Sequence, residues 1–203
     1  MNLYPVFLRL EGRRVLLVGG GTVAAGKLDG LLAAGAEVTV VAPDVRPELL
    51  RPGVRIEQRA FVPGDVDGAW WVVAAAPPDV NRAVQSAAEA RRVFVNAVDD
   101  PAHATAYLGG VVRRSDVTVA ISTGGRAPAL AGLLREALDA WLPQEIDRWL
   151  TSADDARREW KRDAVPMHER RPRLLEALNR LYAETGKQRP TSNSQRSNGR
   201  SRE

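Results

Sequence analysis

Val15-Leu16-Leu17-Val18-Gly19-Gly20-Gly21-Thr22-Val23-Ala24 is the stretch that decides the fold. Four successive apolar residues leave no wet face, which fits a strand covered on both sides better than one with a side open to water. Three glycines follow at once. The alanine- and leucine-rich run from Val23 to Ala34 then predicts a helix that closes at Gly35. Strand, glycine turn and helix in this order make a G-x-G-x-x-A motif. Gly19 permits the tight turn, Gly21 lets the backbone approach a pyrophosphate, and Ala24 allows the helix to pack close to the strand. The helix N-terminus offers unpaired N–H donors to an anion. A tight turn without a ligand is the plainer alternative, and the order of the elements weighs against it.

Outward from this motif, further short Val-rich runs alternate with helix-like segments. Strands are expected at Arg14–Val18, Glu37–Val41, Val54–Arg59, Trp70–Ala74, Val93–Val98 and Val117–Ile121, with Tyr107–Val112 as an extra candidate. Val80–Ala90 reads as a second crossover helix. The fold class is therefore α/β, a Rossmann-type parallel sheet with helices on both faces. After Ile121 the pattern changes. Leu130, Leu133, Leu134, Leu138 and Trp141 form one stripe of an amphipathic helix, Pro143 breaks it, and Gln144–Thr185 carries only helical signals.

The 203 residues are 44% hydrophobic and 27% charged, and no apolar run approaches the roughly 18 residues of a membrane span. Met1–Gly12 lacks the features of a secretory signal, so the expected location is cytoplasmic. With no cysteine and only His103 and His168, thiol chemistry, iron–sulfur clusters and cysteine-based zinc sites are excluded, and no metal site is expected. The net charge of +4 invites a nucleic-acid reading, yet residues 186–203 hold five cations and one anion, so the remainder is balanced. That Ser-, Asn- and Arg-rich tail is expected to be disordered, and nucleic acid is the weaker partner class.

Two acidic positions matter. An acidic residue is expected near the end of the second strand to meet a ribose hydroxyl, and there the chain reads Val41-Ala42-Pro43-Asp44, with Arg46 close by. NAD is favoured over NADP. Asp99 follows the strand Val93–Val98 and belongs at its carboxyl end, where open α/β sheets hold ligands. It could accept a proton, or cap the turn Asp99-Asp100-Pro101. Trp70-Trp71 could face a flat ligand, but packing at the start of a core strand is the stronger reading.

Four segments carry a family resemblance: Tyr4-Pro5-Val6-Phe7-Leu8; the glycine motif with Lys27; Phe94-Val95-Asn96-Ala97-Val98-Asp99; and Ala120-Ile121-Ser122-Thr123-Gly124-Gly125-Arg126-Ala127-Pro128. As a set they resemble the precorrin-2 dehydrogenase and sirohydrochlorin ferrochelatase family, which also forms the N-terminal module of siroheme synthases. A fainter echo is Met167-His168-Glu169-Arg170-Arg171. The resemblance implies NAD-dependent oxidation of precorrin-2 to sirohydrochlorin, with insertion of Fe²⁺ as a second activity, by a homodimer. It implies that Thr22, Val23, Pro43 and Asp44 contact NAD and that Asp99 is the catalytic aspartate. Its domain plan is residues 1–112 for NAD, 113–148 for dimerisation, 149–185 helical, then the tail at 186–203.

Such a tetrapyrrole carries many carboxylates and needs cations and backbone donors. Candidates for the substrate side are Ser122, Thr123, Gly124, Arg126 and His103. Arg126 is weighed equally against simple exposure, and His103 more often would be polar surface. For Arg113 and Arg114 a solvated or dimer-interface place is the expectation. Gly109-Gly110 and Ala75-Ala76-Pro77-Pro78 depart from the family, which has a proline-containing strand start and commonly a threonine there. A rival reading is a regulatory module that senses NAD(H) without tetrapyrrole chemistry.

Overall fold

The computed structural model describes residues 3–98 and 100–185. Asp99 and the expected tail, 186–203, lie outside the described residues.

The first part runs β1 (Arg14–Val18), α1 (Thr22–Ala33), β2 (Glu37–Val41), β3 (Arg55–Glu57), β4 (Trp71–Ala74), α2 (Pro78–Ala90) and β5 (Phe94–Ala97). The five strands form one sheet in the order β3-β2-β1-β4-β5, every neighbour parallel. Val18 lies opposite both Val41 and Ala74, and Ala74 opposite Ala97, so the strands end together along one edge.

Alternation explains the two layers. Val15, Leu17, Val38 and Val40 pack with Leu28 and Leu31 of α1, while Leu16, Val18, Val72 and Ala74 pack with Val84, Ala87 and Ala88 of α2. Each fully buried Val or Leu contributes about 1.5–3 kcal/mol relative to exposure, which is why such runs are driven to the middle of the sheet. Gly35, at φ 71°, closes α1 as its position predicts.

Three expectations change in detail. The third strand shortens from Val54–Arg59 to Arg55–Glu57, because β2 reaches β3 through a 3-10 turn, Pro47–Leu49, with no crossover helix to hold a longer edge. The extra strand appears as β6 (Gly110–Arg114), displaced from Tyr107–Val112. It pairs with β7 (Val117–Ile121) in a separate two-stranded hairpin, since the connection Ser115-Asp116 is too short for a parallel crossover. The glycine just before β6 is required by packing: a Cβ on Gly109 would stand 1.8 Å from the Ile121 carbonyl oxygen.

Three helices follow, α3 (Pro128–Trp141), α4 (Ile146–Arg162) and α5 (Met167–Thr185). The chain divides into two compact units that interleave in sequence, Met1–Gly110 with Ala120–Arg135, and Val111–Val119 with Glu136–Glu203. Within the second, Val112, Leu142 and Ile146 form a small core joined by Val117, Val119, Leu138 and Trp149. Arg114 departs from the solvated half of its expectation, its side chain being 16% exposed. It donates to the Asp139 carboxylate at 2.8 Å, to the Asp139 carbonyl at 2.9 Å and to the Leu142 carbonyl, tying β6 to carbonyls at the end of α3 that have no helical partner.

Candidate dinucleotide site

The carboxyl edge of the sheet is built around the glycine turn. The Gly19 N–H donates to the Val41 carbonyl at 3.0 Å and the Arg46 N–H to the Gly20 carbonyl at 3.0 Å, so the loop after β2 is fastened to the turn. Gly19 has φ 126°, and a Cβ there would come within 2.1 Å of the Ala75 carbonyl oxygen; at Gly20 it would come within 1.8 Å of the Asp44 carbonyl oxygen. No side chain can be added at either place. Gly21 differs, because nothing lies within 4 Å of its Cβ position.

Above Gly21 the space is open and the helix end is bare. Gly21 is the N-cap of α1, without a side-chain capping bond or an acidic residue in the first turn. The helical ladder begins only with the Ala25 N–H donating to the Gly21 carbonyl at 3.0 Å. The exposed donors carry roughly half a positive charge in sum. Thr22 and Val23 are exposed beside them and Ala24 is wholly buried against the sheet, as the motif requires. A cradle a Cβ would fill, open at its mouth and lined by N–H groups, fits the pyrophosphate of a dinucleotide. Pro43 and Asp44 are exposed on the loop over Gly20.

Sequence reasoning missed Asn81. The residue is 4% exposed, and its Oδ1 accepts the Ala76 N–H at 3.0 Å. This bond holds the β4–α2 loop whose Ala75 carbonyl presses on Gly19. A polar residue in the first turn of a helix was the only signal, and it does not say whether the side chain is buried. Asn96 acts similarly beyond β4. Its Nδ2 donates to the Ala106 carbonyl at 2.9 Å, and the Val95 N–H donates to Thr105 Oγ1 at 2.8 Å, drawing the following segment back along β5.

Between lies Asp100 to His103, closed by a 3-10 turn, with His103 Nδ1 2.7 Å from Asp100 Oδ2. The Val98 N–H donates to the Ala74 carbonyl at 2.9 Å, keeping the end of β5 on the same edge as the glycine turn. The remaining substrate candidates shape the turn before α3. Gly124 and Gly125 have φ 62° and 76°, the Gly124 N–H donates to Ser122 Oγ at 3.1 Å, and the Ala127 N–H to Thr123 Oγ1 at 3.3 Å. Arg126 is exposed. These bonds are local to the turn and do not join it to Gly19–Gly21.

Trp71 is buried in the α1 layer, whereas Trp70 is exposed with the Arg13 guanidinium 3.9 Å above its ring, so the packing expectation holds for one of the pair. Among the described residues no group of three acidic, His or Cys side chains could hold a metal ion, and no helix is long and apolar enough to cross a membrane.

Comparison with known proteins agrees with this geometry. A family model described as "Putative NAD(P)-binding" matches residues 6–110. Siroheme synthase 3 of Aeromonas hydrophila subsp. hydrophila is 45% identical over 176 residues, covering 84% of this chain and 38% of the relative. The siroheme synthase of Photorhabdus laumondii subsp. laumondii is 40% identical over 188 residues, covering 90% and 40%. The chain thus spans about two fifths of the length of these relatives. Among solved structures, SirC, precorrin-2 dehydrogenase, superposes with a TM-score of 0.67 at 27% identity, over 86% of this chain and 88% of that one. With a motif, a fold and a family model in agreement over more than half its length, the chain belongs to the "Putative NAD(P)-binding" family and is similar to siroheme synthases and to a precorrin-2 dehydrogenase.

Proposed function

We propose that this chain oxidises precorrin-2 to sirohydrochlorin with NAD⁺, as a homodimer in the cytoplasm. The observation that carries the reading is the open glycine turn on the bare end of α1, in a chain that shares its fold with a precorrin-2 dehydrogenase along nearly the whole of that protein.

Bound NAD⁺ supplies the acceptor for a hydride, so that precorrin-2 and NAD⁺ give sirohydrochlorin, NADH and a proton. Gly19, Gly21 and the first N–H groups of α1, with Thr22, Val23 and Ala24, seat the pyrophosphate. Pro43 and Asp44 border the ribose, the Asp44 carboxylate accepting a hydroxyl. Asp99 follows β5 in sequence and takes the released proton. Ser122, Thr123, Gly124 and Arg126, at the start of α3, together with His103, receive the carboxylates of the tetrapyrrole. Fe²⁺, as substrate, is the second reactant to test, with Asp99 taking up pyrrole protons as it enters.

The test is incubation of the full chain with enzymatically generated precorrin-2 and NAD⁺, following NADH absorbance. NADH is expected to form, and Asp99→Ala to slow it by about a hundredfold or more, the usual contribution of a positioned proton acceptor. Unchanged turnover in Asp99→Ala would remove that residue from the mechanism. Binding of NADH without any change in the visible spectrum of sirohydrochlorin would favour a nucleotide-sensing module instead.

A further inference from the structure

The loop after β2 carries a charge pair that the chemistry above leaves unused. Arg46 lies two residues beyond Asp44, and its N–H is bonded to the Gly20 carbonyl at 3.0 Å, so its backbone is held against the glycine turn. A cation near the carboxyl end of the second strand is what a dinucleotide with a ribose 2′-phosphate requires. This guanidinium is already engaged. Its Nη2 donates to Glu48 Oε1 at 2.8 Å and its Nε to Glu48 Oε2 at 3.3 Å.

The surroundings keep that arrangement in place. Arg46 is extended at φ −68° and ψ 149°, the conformation that the following Pro47 favours, and Glu48 stands in a 3-10 turn pinned by the fully buried Leu49. The hydrogen bond from Arg46 holds the Glu48 carboxyl below its ordinary value, so it is ionised at neutral pH. Asp44, Arg46 and Glu48 together give the loop after β2 one more negative than positive charge. A phosphate monoester would bring roughly −1.5 to −2 of its own.

We propose that Glu48 is a specificity-determining residue: by holding Arg46 it makes the site select a dinucleotide with a free ribose 2′-hydroxyl over one bearing a 2′-phosphate. The inference rests on the reading of the glycine turn as a dinucleotide seat. Glu48 acts twice, engaging the Nε and Nη2 edge of the guanidinium that would pair with the phosphate and adding a like charge that repels it.

The experiment titrates the full chain with NADH and with NADPH, followed by nicotinamide fluorescence, for wild type, Glu48→Gln and the double variant Arg46→Ala with Glu48→Gln. Wild type is expected to prefer NADH. Glu48→Gln is expected to tighten NADPH about tenfold with NADH changed less than about twofold, a gain that shrinks with added salt and disappears in the double variant. An unchanged NADPH-to-NADH ratio in Glu48→Gln, or a gain that persists without Arg46, overturns the proposal. So does a wild type that binds both equally. A wild type that binds neither overturns the dinucleotide reading itself, a result distinct from those three.

Discussion

At the scale of single residues, the three glycines do three different jobs and substitution should separate them. Alanine at Gly20 must displace the Asp44 carbonyl, 1.8 Å from the new carbon, and is expected to cost about 2–3 kcal/mol of stability together with all NADH binding. Alanine at Gly21 meets nothing within 4 Å, at an ordinary φ of −90°. Its stability should stay within about 0.5 kcal/mol of wild type, while NADH affinity falls about tenfold or more, because the methyl group occupies the approach to the helix end. Thermal melts and NADH titrations of the two variants check this, and full affinity in Gly21→Ala would mean that the pyrophosphate sits elsewhere. Gly19 and Gly21 were legible in the sequence because the motif assigns each a role by spacing. Gly20 was not, since the motif leaves its position free and the demand comes from a carbonyl in a distant loop. Asn81 was illegible for the same reason, its importance lying in a backbone N–H that only the folded loop brings near.

Among the elements, the β2–β3 and β3–β4 connections depart from a helix-by-helix sheet, each carrying only a 3-10 turn, and an ionic group stands in β3 and the second of them. Arg59 grips Asp65 with two bonds of 2.9 and 2.6 Å, Asp65 also accepts the Val62 N–H at 2.9 Å, and Glu57 lies between Arg55 and Arg59 at 2.8 and 3.7 Å. The hydrogen bonds from Arg59, ahead of that from Val62, hold the Asp65 carboxyl below its ordinary 3.8. A carboxyl lowered in the folded state stabilises the fold above its unfolded value and loses that contribution as pH falls through the folded one. Stability should therefore decline as pH drops below about 4. Asp65→Asn should remove this part of the slope and cost roughly 1 kcal/mol at neutral pH, allowing for the solvent around Arg59. Urea melts between pH 3 and 7 measure both. The central strands β1, β2 and β4 were legible as apolar runs because both of their faces are covered. Edge strand β3 and the β6–β7 hairpin were blurred, because short, half-wet strands lean on pairing and on glycine contacts that a linear pattern does not display.

For the molecule as a whole, the unanswered surface is that of α3. Leu138 joins the core of the second unit, yet Leu133 is 64% and Trp141 63% exposed, with Leu130 and Leu134 also open. The stripe was legible as an amphipathic helix, but periodicity states only that one side is apolar and not what will cover it. A second copy is the cover proposed here. Sedimentation should show a dimer, and Leu133→Glu should shift it toward monomer while leaving thermal stability of the isolated chain nearly unchanged; a wild-type monomer at micromolar concentration would refute that assembly. The mouth of the glycine turn has a last consequence. Gly21, Thr22, Val23, Pro43 and Asp44 all stand exposed, so under the proposed reaction a nucleotide seated there would be a passing reagent, picked up oxidised and let go reduced in every cycle. Flux through this protein would then follow the redox balance of its surroundings, slowing wherever reduced nucleotide accumulates.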